Sequence, residues 1–328
     1  MLDPFGRAVS YLRVSVTDRC NYRCNYCMAE DMQFLPRREL LTLEELQRIS
    51  GLFVDLGVRK LRITGGEPLV RQNILSLFSH LGERLGNGLD ELSLTTNGAL
   101  LARYAAQLRD CGVRRVNVSL DTLDENRFRA LTRLGNFHEV LDGIEAAAEA
   151  GLKVKINTVA LKGVNDDELD HLLAWCGERG FDLSLIESMP MGDIGQLRDD
   201  HFLSLDKVKQ DLAQRWNLTP SSLDTGGPSR YQHVAETGQR IGFITPYSHN
   251  FCESCNRVRL TCTGTLYLCL GQDDAVDLRE PLRDGASDEQ LKQVILEAIA
   301  RKPEGHDFDH TRLAEGAQVV RFMNTTGG

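Results

Sequence analysis

The sequence predicts an α/β protein: a partial (β/α)6 barrel of TIM type, open on one side, followed by a C-terminal extension. Three observations carry this reading. Short runs with apolar residues at alternate positions are interleaved with longer segments of helical period. Six such strand–helix units follow one another, which implies a parallel sheet with right-handed crossovers. Six is two short of the eight that close a full barrel.

The predicted strands are Tyr11–Thr17, Lys60–Thr64, Glu91–Asn97, Arg114–Asp121, Lys153–Ala160 and Asp182–Met189. The first helix lies in TLEELQRISGLFVDLG, where Thr42 can cap and Glu45 can close a capping box. Further helices are predicted over Arg71–Leu85, Ala99–Cys111, Phe137–Ala150 and Asp166–Arg179. Gly57, Gly112, Gly151 and Gly180 stand where C-terminal caps belong. After Pro190 the rhythm stops. Leu205–Trp216 and Leu291–Ala300 read as helices, TPSSLDTGGPSR as a linker or mobile loop, and FMNTTGG as a flexible tail. The chain divides into a partial barrel over 1–230 and a β-like region over 231–328.

The predicted strands also describe the barrel's contents. Arg13, Ser15 and Thr17 share one face, as do Arg62 and Thr64, and Ser93 and Thr95. So do Asn117, Ser119 and Asp121, and Lys153, Lys155 and Asn157. The apolar faces must meet the helices, so these polar faces line the lumen. Unpaired polar groups buried there would be costly, and a large polar ligand answers them.

Composition narrows the function classes. A formal net charge of −9 over 328 residues argues against a general nucleic-acid binder. No apolar run is long enough for a membrane span, and MLDPFGRAVS lacks an apolar signal region. A cytoplasmic location is expected, where the nine cysteines stay reduced. Cys111 and Cys176 fall in helical segments and read as ordinary buried thiols.

Cys20, Cys24 and Cys27 form C-x3-C-x2-C in VTDRCNYRCNYC. A structural zinc takes four closed ligands, and no fourth Cys or His lies nearby. A cubane iron–sulfur cluster held by three cysteines keeps one iron open. The spacing resembles the signature of the radical S-adenosylmethionine (SAM) enzymes. A second group, Cys252, Cys255 and Cys269, is spaced C-x2-C-x13-C, with Cys262 between. Spacing permits either a four-cysteine zinc site or a three-cysteine cluster with Cys262 as bystander. Arg257 and Arg259 flank Val258 beside this group and suit a phosphate or carboxylate.

The whole chain resembles the radical SAM GTP 3′,8-cyclases of molybdenum cofactor biosynthesis, the MoaA family. The resemblance rests on FGR, LRVSVTDRCNYRCNYCM, LRITGGEPLVR, LTTNG, RRVNVSLDTLD, the second cysteine group with its RVR, and the terminal GG. It implies two 4Fe–4S clusters, on Cys20, Cys24 and Cys27 and on Cys252, Cys255 and Cys269; the second would sit in the C-terminal extension. The first would bind SAM, whose reductive cleavage yields a 5′-deoxyadenosyl radical. SAM contacts are implied at Tyr26, Gly66, Ser119 and Met189. GTP would meet the second cluster through its base, with contacts at Arg13, Arg62, Thr95, Lys155, Arg257, Val258 and Arg259. The radical would take hydrogen from ribose C3′, which attacks purine C8, giving (8S)-3′,8-cyclo-7,8-dihydroguanosine 5′-triphosphate. Gly327 and Gly328 would reach into the active site. The resemblance further implies an external one-electron reductant and a downstream cyclic pyranopterin monophosphate synthase. It leaves a homodimer open, and involves no nucleic acid and no membrane.

Two departures stand out. Ser184 occupies the place of the family's usual arginine, and Cys262 that of a non-ligand residue. A divergent paralogue with an auxiliary cluster acting on another substrate, such as a peptide, is therefore an alternative. So is a noncatalytic metal-binding protein holding zinc. The inward basic residues favour a nucleotide over a peptide.

Overall fold

In the computed structural model the described residues are 1–192, 199–223, 225–247, 251–309, 312 and 317–327. Six strands run in chain order: β1 (Tyr11–Ser15), β2 (Lys60–Thr64), β3 (Glu91–Thr96), β4 (Arg115–Ser119), β5 (Lys153–Ala160) and β6 (Asp182–Glu187). Between them lie α1 (Leu43–Asp55), α2 (Ile74–Gly82), α3 (Leu101–Asp110), α4 (Glu125–Thr132), α5 (Phe137–Glu149) and α6 (Leu169–Glu178). All five neighbouring pairs from β1 to β6 are parallel. The predicted strands are therefore present, some one to three residues shorter.

The α1 start follows the sequence closely. Thr42 Oγ1 accepts from Glu45 N at 3.1 Å, and Glu45 Oε2 accepts from Thr42 N at 2.7 Å. Gly57, Gly112, Gly151 and Gly180 all adopt positive φ just past helices. The sequence reading missed α4. Its segment ENRFRALT has a weak apolar stripe, and the helix is started by Asp124, whose side chain accepts from Arg127 N.

Apolar side chains of the strands point outward into one core with the helices. Leu12, Val14, Leu61, Ile63, Leu94, Val118, Ile156 and Leu185 are all fully buried there. Each such side chain contributes about 1.5–3 kcal/mol relative to exposure. The alternate positions are thereby turned inward.

The remaining elements are α7 (Leu205–Leu212), β7 (Leu218–Pro220), β8 (Arg230–Val234), β9 (Arg240–Ile244), β10 (Arg257–Leu260), β11 (Thr265–Tyr267), β12 (Ala275–Asp277), α8 (Arg279–Arg283), α9 (Asp288–Ile299) and α10 (Met323–Thr326). The later strands prolong the barrel sheet at both margins. The order is β12-β11-β10-β1-β2-β3-β4-β5-β6-β9-β8-β7. β10 lies parallel to β1, and β9 parallel to β6. The outer strands β11, β12, β8 and β7 run antiparallel.

Two expectations need correcting. TPSSLDTGGPSR is not a linker: its start forms part of β7, and Thr225 is tied to the barrel by a 2.8 Å bond from Lys60 Nζ to its carbonyl. The tail is packed rather than frayed. Asn324 and Thr326 are buried, and Asn324 Nδ2 donates to the Asp18 carbonyl at 2.9 Å.

Candidate active site

One cavity occupies the inward face of the sheet. Both cysteine trios line it: Cys20, Cys24 and Cys27, and Cys252, Cys255 and Cys269. So do Arg13, Arg62, Thr95, Lys155, Arg257, Val258 and Arg259, and Tyr26, Gly66, Ser119 and Met189. Each of these residues stands out in the sequence, most of them through the family resemblance, and the fold brings them to a single space. Gly327 lies beside it, pressed on Thr64 so closely that a Cβ would overlap the Thr64 hydroxyl. Gly328 lies outside the described residues.

The first trio sits on the loop that follows β1. The glycines of GGEP hold it from beneath. Gly66 N donates to the Thr17 carbonyl at 2.7 Å, and Glu67 N to the Arg19 carbonyl at 2.8 Å. A Cβ on Gly66 would overlap the backbone of Asp18 and Arg19. Glycine is required here by contact with the cysteine loop itself. Asn97 Nδ2 and Tyr22 N approach Cys20 Sγ at 3.7 and 3.4 Å.

Two carboxyls are buried near this loop. Burial pushes Glu67 up to about 7, against the bonds it accepts from Asn97 N, Leu69 N and Thr96 Oγ1. Burial likewise pushes Asp121 up to about 6 while it accepts from Tyr26 Oη at 2.6 Å and Val159 N at 2.8 Å. Tyr26 is thus oriented by Asp121.

The opposite part of the cavity is cationic. Register places Arg259, Arg13 and Arg62 side by side across β10, β1 and β2. Burial, then Arg259, Arg62 and Arg257, push Arg13 well below the ordinary arginine value. Burial and Arg257 bring Arg259 down to about 10. Burial, with Arg62 and Arg115 adding to it, brings Lys155 down to about 8. Lys155 Nζ donates to Tyr231 Oη at 3.3 Å. Tyr231 is raised by burial, but Lys155, Thr225 and Ser229 outweigh this and leave it at about 8. Like charges so close in a buried site call for a polyanion among them. Arg259 Nη1 also donates to the Gly327 carbonyl at 2.8 Å, so the tail and the cationic row meet.

The second trio is gathered from separate stretches of chain, and Cys262 is not with it. Cys262 is absent from the cavity wall and is fully buried, its carbonyl accepting from Leu41 N at 2.7 Å. Cys176 is a core thiol and Cys111 packs against the same core. Among the described residues, no three His, Cys, Asp or Glu side chains gather closely enough for a single metal ion. Zinc draws its ligands to about 2.0–2.3 Å of one point; a cluster spreads them around its own bulk. Each trio presents three thiols to the shared cavity, a donor set that fits a cluster held by three cysteines.

Ser184, the departure on β6, is fully buried. Its Oγ lies 3.2 Å from Ser229 Oγ, in the segment read as a linker. Thr225, Gly227, Pro228 and Ser229 are cavity wall, and no periodic pattern in their segment marks them as such.

Comparison with known proteins agrees with this arrangement. The radical SAM superfamily pattern matches residues 14–176, and the Molybdenum Cofactor Synthesis C pattern matches 181–308. Streptococcus suis SuiB, solved with S-adenosylmethionine, superposes with a TM-score of 0.58 at 17% identity, over 97% of this chain and 77% of that one. That likeness is one of fold. A GTP 3′,8-cyclase of Paracoccus denitrificans is 62% identical over all of this chain and 96% of its own length. One from Rhizobium leguminosarum bv. trifolii is 60% identical over all of this chain and 94% of its own, and one from Brucella suis biovar 1 is 60% identical over all of this chain and 96% of its own. With both cysteine trios, the arginine row and this identity along its whole length, the chain belongs to the GTP 3′,8-cyclase family of radical SAM enzymes.

Proposed function

We propose that this chain converts GTP to (8S)-3′,8-cyclo-7,8-dihydroguanosine 5′-triphosphate, the first step of molybdenum cofactor biosynthesis. The observation that carries this is the single cavity with two cysteine trios and a buried arginine row along one wall. When bound, the cluster and SAM at the first trio supply the 5′-deoxyadenosyl radical.

The protein's own residues do the placing. Cys20, Cys24 and Cys27 hold the first cluster, on a loop fixed by Gly66 and Glu67. Tyr26, Gly66, Ser119 and Met189 hold SAM. Cys252, Cys255 and Cys269 would hold a second 4Fe–4S cluster, the site assigned to the guanine base. Arg13, Arg62, Lys155, Arg257 and Arg259 neutralise the triphosphate, each charge-assisted contact being worth about 1.5–3 kcal/mol. Thr95 and the backbone at Val258 complete that wall. Gly327 and Gly328 are assigned the tail's role of assisting the radical step, with Arg259 steadying the Gly327 carbonyl. Residues 1–230 form the radical SAM partial barrel and also supply Arg13, Arg62, Thr95 and Lys155 to the substrate, while 231–328 carry the second cluster site, Arg257, Val258, Arg259 and the di-glycine tail. An external one-electron carrier reduces the enzyme, and a cyclic pyranopterin monophosphate synthase takes the product. A homodimer and a cytoplasmic location belong to the same proposal. Among the described residues, no helix is long and apolar enough to cross a membrane.

The test is anaerobic incubation of reconstituted enzyme with dithionite, SAM and GTP, followed by mass spectrometry. Formation of 5′-deoxyadenosine and a GTP isomer together is the expected result. SAM cleavage without a GTP isomer would reject the substrate assignment.

A further inference from the structure

One buried cation stands outside every role given so far. Lys302 follows α9 and is 2% exposed. Its Nζ donates to the Leu268 carbonyl at 3.1 Å and lies 3.6 Å from Cys255 Sγ. No carboxylate pairs with it among the described residues. Desolvating a lone ammonium is costly unless an anion answers it. The free Cys255 sulfur in this structure stands in for a cluster-ligating thiolate, which is such an anion.

Lys302 is also held in register. The Arg7 guanidinium is buried and donates to three carbonyls: Cys252 at 2.7 Å, Glu304 at 2.5 Å and Pro303 at 2.5 Å. It thus ties the start of the second cysteine group to the residues that follow Lys302. Asp3, 2.6 Å from Arg7 Nε, balances the Arg7 charge locally. Lys302 keeps no such counter-ion. Arg257 also approaches Cys255 Sγ, at 3.9 Å, but Arg257 lines the cavity and faces substrate as well. Lys302 is not in that wall and faces the sulfur from behind.

We propose that Lys302 is a positioning residue for the second cluster: its ammonium hydrogen-bonds the Cys255 thiolate and raises that cluster's reduction potential. The proposal rests on reading the second cysteine group as a cluster site. Its physical basis is that a cation beside a ligating sulfur favours the more negative, reduced form. A hydrogen bond to the sulfur acts in the same direction.

The experiment uses full-length protein with Cys20, Cys24 and Cys27 all changed to serine, leaving the second site alone. Lys302→Met and Lys302→Arg are made in that background and reconstituted anaerobically. Iron and sulfide are measured, and the midpoint potential is read by EPR-monitored titration. Lys302→Met is expected to shift the midpoint to a more negative value, and Lys302→Arg to return it towards the parent. A cluster-bearing Lys302→Met with the parent's midpoint overturns the proposal. If Lys302→Met takes up no iron, uptake by Lys302→Arg supports it, whereas loss in both makes Lys302 a packing residue and overturns it. A parent that binds zinc instead of iron and sulfide rejects the second-cluster reading itself, and this inference with it.

Discussion

The two cysteine groups face one another across one cavity but are built in opposite ways. The first is a contiguous loop. It is held by the backbone of Gly66 and Glu67, with buried Glu67 and Asp121 close by. Burial pushes the Cys20 thiol up to about 11. The second spans Cys252 to Cys269 and is braced by cations, two of them from far along the chain: Arg7 on the Cys252 carbonyl, and Lys302 with the local Arg257 near the Cys255 sulfur. Burial raises Cys255, yet Arg257 and Lys302 outweigh it and leave that thiol below its ordinary value. Backbone contacts from GGEP brace the first site, whereas buried cations brace the second.

The largest way to break the symmetry is to remove the first group. Changing Cys20, Cys24 and Cys27 together to serine should abolish SAM cleavage and halve the iron. Iron analysis beside a 5′-deoxyadenosine assay checks both. Loss of all the iron would mean the two sites are not independent.

Next come the cations of the substrate wall. Arg257→Ala and Arg259→Ala should each weaken GTP binding by roughly 10- to 150-fold, from about 1.5–3 kcal/mol per charge-assisted contact. SAM binding should change far less. Equal losses for both ligands by calorimetry would show that the wall is shared.

A smaller effect is expected at Ser184. A serine in place of arginine marks either a lost charge that can be restored or a pocket repacked around the smaller side chain. The structure favours the second. Ser184 has no exposed surface and meets Ser229. Gly242 is packed so tightly that a Cβ there would come within 2.9 Å of Ser184 Oγ. Ser184→Arg should therefore destabilise by about 1–3 kcal/mol through overpacking, seen as a lower melting temperature with weaker binding of both ligands. An unchanged melting temperature with tighter GTP binding would reverse that conclusion.

The smallest effect is predicted for Cys262→Ser, which should leave the iron content of the second site intact. Its carbonyl bond to Leu41 N survives the change. Loss of the second cluster in this variant, with retention in Cys269→Ser, would reassign the ligands.

The same contrast explains what could be read from the sequence. Strand period alone turned Arg13, Arg62, Thr95 and Lys155 inward, because apolar neighbours at alternate positions leave no other choice. Thr42, Glu45 and the glycine caps are local signals and were found. Lys302 and Arg7 were not, because their partners are backbone carbonyls and a sulfur reached only through the tertiary fold. The wall at 225–229 was missed for a related reason. Its turn-rich composition shows that the chain bends, but not what it bends against. The pairing of β9 with β6 and β10 with β1 has no periodic signature either.

That last pairing has a consequence for how the protein is born. β1 leaves the ribosome long before one of its two neighbours, β10, which begins at Arg257. β6 likewise waits for β9, which begins at Arg240. Until then both margins of the nascent sheet carry unpaired peptide groups, the kind of edge that invites wrong pairing between chains. Elongation at about 5–20 residues per second leaves those edges bare for several seconds. Chaperone dependence and inclusion-body formation should therefore track the time taken to synthesise the later strands, and slowing translation between Glu187 and Arg257 should worsen both.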